Sequence, residues 1–105
     1  MNLKNHTLQK YEQVIKMITI EEACEMGLRK IKKLYGRNWA IYSVVKIDNL
    51  WVICPYDAEN PNKEYYGPSP ISINQDTGEI SIYEVHRHLR DFHRAKKIRI
   101  PWKYR

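Results

Sequence analysis

The sequence predicts an α+β domain built on a small antiparallel sheet of about four strands. Three observations support this class: an amphipathic helix in the first half of the chain, a run that is apolar on both faces, and a later pair of alternating runs around a turn. At 105 residues the chain is long enough for one domain with a single modest core. We therefore expect one sheet with helices packed against it.

Residues 19–35 carry every local signal of an α-helix that packs on the sheet. Thr19 and Glu22 form a capping box, and Gly36 stands where a helix ends. Gly27 lowers helix propensity by about 1 kcal/mol relative to alanine, so its presence predicts a close approach between helix and sheet. The apolar residues recur on one face: Ile20, Ala23, Cys24, Gly27, Leu28, Ile31 and Leu34.

Two consecutive strands are predicted at residues 39–47 and 50–56. Strict alternation in the first would place Ile41, Val45 and Ile47 on one face together with Trp39, with Ser43 as the polar member. The run that begins at Leu50 is apolar on both faces, which is typical of a central strand covered on both sides. Pro55 marks the end of that run, and residues 57–70 form a long loop.

A hairpin and a second helix complete the prediction. Residues 71–73 and 80–82 alternate apolar and polar around Asp76-Thr77-Gly78, a turn in which Asp76 can cap the backbone. A helix over residues 84–97 should follow and cover an end or edge of the sheet. Its apolar stripe is Val85, Leu89 and Phe92. The tail from Ile98 to Trp102 alternates apolar and polar residues and could form a short edge strand.

The positive charge of the chain is concentrated in its last quarter. The net charge is +6, and residues 81–105 alone hold eight Lys and Arg against Glu84 and Asp91. Such asymmetry predicts a partner with an acidic surface. The chain also has no apolar run of the roughly 20 residues that a membrane span requires, and its two cysteines are well separated. We expect no signal peptide, because residues 1–6 lack an apolar segment and a small-residue cleavage site. These features predict a cytoplasmic protein with free thiols.

No catalytic, cofactor-binding or metal-binding residues are predicted. His86, His88 and His93 cannot converge on one ion from a regular helix, because His88 would lie about 160° around the axis from His86. Nucleophile elbows, zinc-protease motifs and phosphate-binding loops are all missing from the sequence. The chain is therefore predicted to be a binding protein rather than an enzyme, and to require no cofactor.

The predicted partner-binding residues combine cations with exposed aromatics. Arg residues can pair bidentately with carboxylates, and aromatic side chains commonly anchor protein interfaces. Trp102 lies in the basic tail beyond the predicted second helix, and a tyrosine pair precedes Gly67 in the long loop. The full set is Arg87, Arg90, Arg94, Lys97, Trp102, Tyr65 and Tyr66.

The order of these motifs resembles that of the YrhB-like domain, also classed as the immunity protein 35 family of bacterial toxin–immunity systems. The resemblance covers roughly residues 19–95 and rests on the strand Leu50-Trp51-Val52-Ile53-Cys54 and on the hairpin from Pro70 to Ile80. It implies a small α+β domain that binds and neutralises a cognate toxin without catalysis of its own. The additional residues 1–18 and the basic second helix depart from the family pattern.

The chain is accordingly expected to be one domain over residues 1–105, with an extension at 1–18, a core at 19–97 and a basic tail at 98–105. Residues 8–18 fit both a helix and a strand. The expected function is immunity-type neutralisation of a toxin or enzyme by surface occlusion. The first alternative is a basic nucleic-acid-binding domain, which is less favoured because no nucleic-acid motif is present. The others are a chaperone-like domain of the same fold, a module that binds anionic membrane surfaces, and a hydrolase whose catalytic groups assemble only in the fold.

Overall fold

The computed structural model describes residues 17–61 and 68–105. It confirms the α+β class: a five-stranded antiparallel sheet carries a 16-residue helix on one face and a short helix late in the chain. In chain order the elements are α1 (Ile20–Tyr35), β1 (Trp39–Ile47), β2 (Leu50–Asp57), β3 (Ile71–Asn74), β4 (Ile80–Ile82), a 3₁₀ turn (Val85–Arg87), α2 (Leu89–Arg94), β5 (Lys96–Ile98) and a 3₁₀ turn (Trp102–Tyr104). The strand order is β4-β3-β2-β1-β5, so β2 is central.

α1 begins and ends where the sequence predicts. The Thr19 Oγ1 accepts a hydrogen bond from the Glu22 backbone N–H at 3.2 Å, and the Glu22 carboxylate accepts one from the Thr19 N–H at 3.3 Å. Gly36 closes the helix with φ of 136°, a backbone conformation that other residues adopt only with strain. The capping box and the terminal glycine thus fix both ends of the helix without tertiary contacts.

Gly27 brings the α1 backbone into close contact with the central strand. A Cβ atom added at Gly27 would lie 2.8 Å from Cγ1 of Ile53, which is well inside van der Waals contact. Ile53 is fully buried in the core between α1 and the sheet. The expected close approach is confirmed.

A β-bulge in β1 overturns the predicted distribution of its side chains. The register against β2 shifts between Ile41 and Ser43, which leaves Tyr42 as an extra residue. Ile41 therefore packs in the core under α1, whereas Val45 and Ile47 pack on the opposite side, which we call the second face. The prediction of one shared face is wrong, because a one-residue insertion moves all later side chains to the other side.

β2 is covered on both faces, as its composition predicts. Ile53 points toward α1 and Val52 points toward the second face, and neither side chain is accessible to solvent. On the second face Tyr83 is buried beside Val52, and Val85, Phe92 and Ala95 pack around them. The segment that follows β4 therefore covers the second face of β2, which the apolar composition of β2 predicts to be buried.

The predicted helix over residues 84–97 is shorter and interrupted. His88 has φ of −132° and ψ of 34°, so the preceding 3₁₀ turn and α2 are separate. Ala95 is extended, and Lys97 lies in β5 rather than on a helix. β5 pairs with β1 through Val44–Ile98 and Val45–Lys97, which satisfies backbone groups that would otherwise form an open edge of β1. This long-range pairing overrides the local helix propensity of the lysines.

The β3–β4 turn is capped by a different residue from the one predicted. The Asn74 side-chain oxygen accepts hydrogen bonds from the Asp76 N–H at 2.9 Å and the Thr77 N–H at 3.1 Å. The Asp76 carboxylate instead accepts one from the Asn49 side-chain amide, in the β1–β2 turn. Gly78 has φ of 75°, which confirms the glycine requirement at this position.

Residues at the start of the described chain join α1 to the sheet. The Ile18 N–H donates to the Gln75 carbonyl at 2.7 Å, and the Trp51 indole donates to the Ile18 carbonyl at 2.9 Å. At the other end, Ile100 and Tyr104 pack against the core on the α1 side. The helix-or-strand alternative for residues 8–18 falls almost entirely outside the described residues.

Gly27→Ala is expected to lower the free energy of unfolding by roughly 1–3 kcal/mol, because the added methyl group overpacks against Ile53. Helix propensity alone predicts that Gly27→Ala would raise the free energy of unfolding. Urea titrations of Gly27→Ala, Ile53→Ala and the double variant test this, since Ile53→Ala removes both Cγ atoms. The penalty of Gly27→Ala should largely vanish in the Ile53→Ala background, and an equal penalty in both backgrounds would contradict the overpacking mechanism.

Stability should fall at alkaline pH, and Cys24 should contribute. Burial, with a smaller effect of the Glu21 carboxylate, raises the pKa of the Cys24 thiol from 9.0 to about 11. The unfolded chain therefore loses this proton at lower pH than the native protein, so stability present below pH 9.0 is lost progressively toward pH 11. Unfolding titrations between these values should show a contribution of roughly 2–3 kcal/mol. Cys24→Ala should flatten the decline, and identical pH profiles for the two proteins would contradict this assignment.

Candidate partner-binding surface

The short helix α2 divides the second face of the sheet into two hollows. Phe92 faces the sheet and packs with the core on that side. Helix periodicity places Asp91 and His93 on opposite flanks of α2, and each residue lines a different hollow. One hollow lies over β1 and β2, and the other extends over β2, β3 and β4.

The first hollow, which we call the Tyr42 hollow, has a volume of about 410 Å³. Its lower part is apolar, and its rim carries an exposed tyrosine, an imidazole and an ammonium group. Lys97 reaches this rim because it is paired with Val45 in the β1–β5 ladder and so shares its face. The lining residues are Tyr42, Ser43, Val45, Cys54, Phe92, His93, Ala95 and Lys97.

The bulge in β1 is what presents Tyr42 to solvent. As the extra residue of the bulge, Tyr42 is 72% exposed, and its ring lies edge-on to that of Tyr56 at a centroid distance of 6.0 Å. Tyrosine combines a large apolar area with a polar tip and loses little conformational entropy when it is fixed. An exposed tyrosine beside an apolar hollow is the arrangement found at the anchors of protein interfaces.

Two arginines lie on the outer side of α2, the side that does not face the hollow. Arg90 and Arg94 are four positions apart, and helix periodicity places both opposite Phe92, away from the sheet. Both are exposed. We call the set Tyr42, Arg90, His93, Arg94 and Lys97 the Tyr42 surface.

The structure separates the residues that the sequence groups into one binding set. Arg87 forms an ion pair with Glu84 at 2.7 Å and lines the other hollow. Trp102 is 82% exposed, but its neighbours Ile100 and Tyr104 pack on the α1 side rather than on the second face. Arg90 and Arg94 are exposed on α2 and Lys97 is exposed on β5, whereas Tyr65 and Tyr66 lie outside the described residues.

The second hollow, which we call the acidic hollow, has a volume of about 590 Å³. Four carboxylates line it, from Asp48, Glu79, Glu84 and Asp91, together with the single guanidinium of Arg87. This leaves a net charge of −3 in a chain whose total is +6. The acidic hollow and the Tyr42 hollow with its Lys97 ammonium therefore lie on opposite sides of α2.

The Cys54 thiol in the Tyr42 hollow is not an activated nucleophile. Burial raises its pKa, and a hydrogen bond with Ser43 offsets only part of that effect. Because the thiolate is the reactive form, a thiol with a raised pKa reacts slowly at neutral pH. Cys54 therefore lines the hollow as a largely apolar side chain, and its thiol can be used to report whether the hollow is occupied.

Within residues 17–61 and 68–105, no group of three or more His, Cys, Asp and Glu side chains is placed to hold a metal ion. The three histidines of the basic segment lie on a 3₁₀ turn, at the interruption and on α2. The same residues include no helix with the length and apolar character of a membrane span.

Comparisons of the chain with models of protein families, with curated proteins and with solved structures find no match. The resemblance to the YrhB-like domain consequently stays a prediction based on the hairpin and strand motifs. The functional assignment must come from the geometry of the surface itself.

Sequence reasoning missed Tyr42 and the acidic hollow. Tyr42 looks like an ordinary strand residue, because the bulge that exposes it depends on the register between β1 and β2. The carboxylates of the acidic hollow are spread over residues 48–91 and meet only in the fold. The sequence offers one signal for Tyr42: alternation along β1 places its side chain on the face of the sheet opposite to that of Ile41.

Tyr42→Ala should change the free energy of unfolding by less than about 1 kcal/mol, because the ring is mostly exposed. Tyr83→Ala is the matched control, since Tyr83 is only 7% exposed and lies in the core of the second face. That variant should lose roughly 2–5 kcal/mol. Denaturant titrations measure both free energies of unfolding. Comparable losses in the two variants would show that the Tyr42 side chain stabilises the fold, which would contradict the prediction.

Proposed function

We propose that this chain is a non-catalytic binding protein of the immunity type, which neutralises a toxin or enzyme by covering part of its surface with the Tyr42 surface. The observation that supports this most directly is the exposed Tyr42 ring beside an apolar hollow of about 410 Å³ rimmed by His93 and Lys97. The hollow can accept one apolar side chain of a partner, and Tyr42 can pack against it.

Charge defines the second property of the partner. Arg90 and Arg94 are exposed on the outer side of α2, Lys97 lies at the rim of the hollow, and residues 81–105 carry eight Lys and Arg against two acidic residues. Carboxylates on the partner would pair with the guanidinium groups, since their planar donors match a carboxylate bidentately. The proposed partner therefore presents an apolar side chain surrounded by Asp and Glu.

Opposite charges on two proteins mainly accelerate their encounter. Electrostatic steering raises association rates by roughly 10–1,000-fold at low salt, and the effect declines as salt screens the charges. A neutraliser benefits from rapid association, because it must bind its target before the target acts. The basic surface and the inhibitory role are thus mutually consistent.

The test uses the product of the gene next to the one that encodes this chain. Cells that produce this neighbour should stop growing, and co-production of the chain should restore growth. An Arg90→Glu/Arg94→Glu variant should fail to restore it, with an association rate reduced by about tenfold or more at low salt. Stopped-flow fluorescence measures that rate, and circular dichroism verifies the fold.

The matched control is Lys33→Glu/Arg37→Glu, which reverses the same number of charges at exposed positions near the C-terminal end of α1. It should protect cells like the parent chain. Alkylation of Cys54 adds a local readout, because an occupied Tyr42 hollow should shield this thiol while buried Cys24 serves as an internal reference. Equal loss of protection in both charge reversals would contradict the placement on the Tyr42 surface.

Nucleic acid is the alternative ligand for a basic surface, and salt distinguishes it. Binding to a short DNA or RNA strand would weaken linearly with the logarithm of salt concentration, with a slope near −0.7 per phosphate contacted. Tight, steeply salt-dependent binding to such strands, lost in Arg90→Glu/Arg94→Glu, would replace the immunity proposal with a nucleic-acid-binding function.

A further inference from the structure

We infer that the free edge of β4 is a second docking site, which takes an extended polypeptide segment with apolar side chains alternating with Lys or Arg. This site lies on the opposite edge of the sheet from β5 and shares no residue with the Tyr42 surface. It is independent of the immunity proposal. Three features support it: the backbone of β4, the side chains on its two faces, and the contrast with β5.

The backbone of β4 offers unpaired hydrogen-bonding groups. The Asn74 N–H donates to the Glu79 carbonyl at 2.9 Å, and the Tyr83 N–H donates to the Pro70 carbonyl at 2.8 Å. Since bonded and outward-facing residues alternate along an antiparallel strand, Ser81 also faces β3 whereas Ile80 and Ile82 face away. Among the described residues no strand pairs with this outer side, so two N–H and two C=O groups stay available.

The side chains of β4 differ between its two faces. Ile80 and Ile82 lie across from buried Ile73 and Ile71 on the α1 side, yet they are 37% and 48% exposed. Ser81 lies on the second face and lines the acidic hollow with Glu79. An added strand would place alternate side chains on the two faces, so apolar residues would extend the isoleucine pair and cations would meet the carboxylates.

The acidic hollow specifies the sign of the partner's charge. Its net charge of −3 comes from carboxylates on four separate segments, and only Arg87 opposes them. The pKa of Tyr83, in the wall of this hollow, is raised by burial and further by Asp91 and Asp48. This effect is consistent with a negative potential that a Lys or Arg side chain would neutralise.

A second copy of the chain is a poorer occupant. Antiparallel pairing of two β4 strands about Ser81 would place the two acidic hollows next to each other. The other sheet edge is protected, because β5 carries Lys96 and Lys97, and charged residues on an edge strand oppose pairing. No residue of β4 is charged, so this edge lacks the protection that the lysines give β5. The same edge borders the acidic hollow, whose negative charge complements a basic segment.

The experiment uses a capped peptide of about six residues that alternates Val and Lys, and a control peptide with Glu in place of Lys. Amide hydrogen exchange in the full chain should slow by about tenfold or more at Ile80 and Ile82 with the Lys peptide, while Ser81, already bonded to β3, changes little. The Glu peptide should produce no such protection.

Ile82→Lys should abolish the protection by placing a charge on the edge. Leu34→Lys is the matched control, since Leu34 is 45% exposed on α1 and Ile82 is 48% exposed, and it should bind the peptide like the parent. Far-UV circular dichroism verifies both folds. No protection at high peptide concentration, equal protection by the Glu peptide, or an unaffected Ile82→Lys variant would overturn the inference. Protection that appears without peptide and grows with protein concentration would identify a second copy as the occupant and would overturn it also.

Discussion

The contact between Gly27 and Ile53 is the constraint on which the rest of the structure depends. Because Gly27 has no side chain, the α1 backbone lies close enough to β2 to bury Ile53 completely. β2 is the central strand and is apolar on both faces, so burying one face against α1 still leaves Val52 in need of cover on the other. The segment after β4 supplies that cover through Tyr83 and Phe92.

The cover on the second face is incomplete, and this incompleteness creates the surfaces of interest. α2 has only six residues, so it protects the middle of the face and leaves hollows on both flanks. A helix that extended to residue 97, as the sequence predicts, would have taken up Lys96 and Lys97, which are two of the three residues of β5. The early end of α2 therefore supplies both the fifth strand and the Lys97 side chain at the rim of the Tyr42 hollow.

Charge is organised locally although the whole chain is basic. The carboxylates gather on the β2–β4 side of α2, while Arg90, Arg94 and Lys97 belong to its outer side and to β5. Interactions between exposed charges are screened within about 8 Å at physiological salt. The two regions can therefore act on different ligands, one acidic and one basic, despite their proximity within a small domain.

The sequence by itself determined the elements whose signals are local. The ends of α1 follow from Thr19, Glu22 and Gly36, and the β3–β4 turn follows from Gly78, since each of these residues acts on backbone groups within a few positions. The double-sided burial of β2 was also readable, because composition alone reports how many faces are covered. The exposure of Arg90, Arg94 and Lys97 was also expected, because the last quarter of the chain is rich in Lys and Arg, whereas their role in binding stays a prediction.

Only the tertiary structure decided the features that depend on pairing between distant residues. The bulge that exposes Tyr42 is a property of the β1–β2 register. Pairing with β1 places β5 at residues 96–98, earlier than the edge strand that the alternation of residues 98–102 suggests. Arg87 pairs with Glu84 and lines the acidic hollow, and the four carboxylates of that hollow come together only when β1 to β4 and α2 assemble. Register and assembly are set by packing over long sequence separations, and such packing leaves no periodic trace in the chain itself.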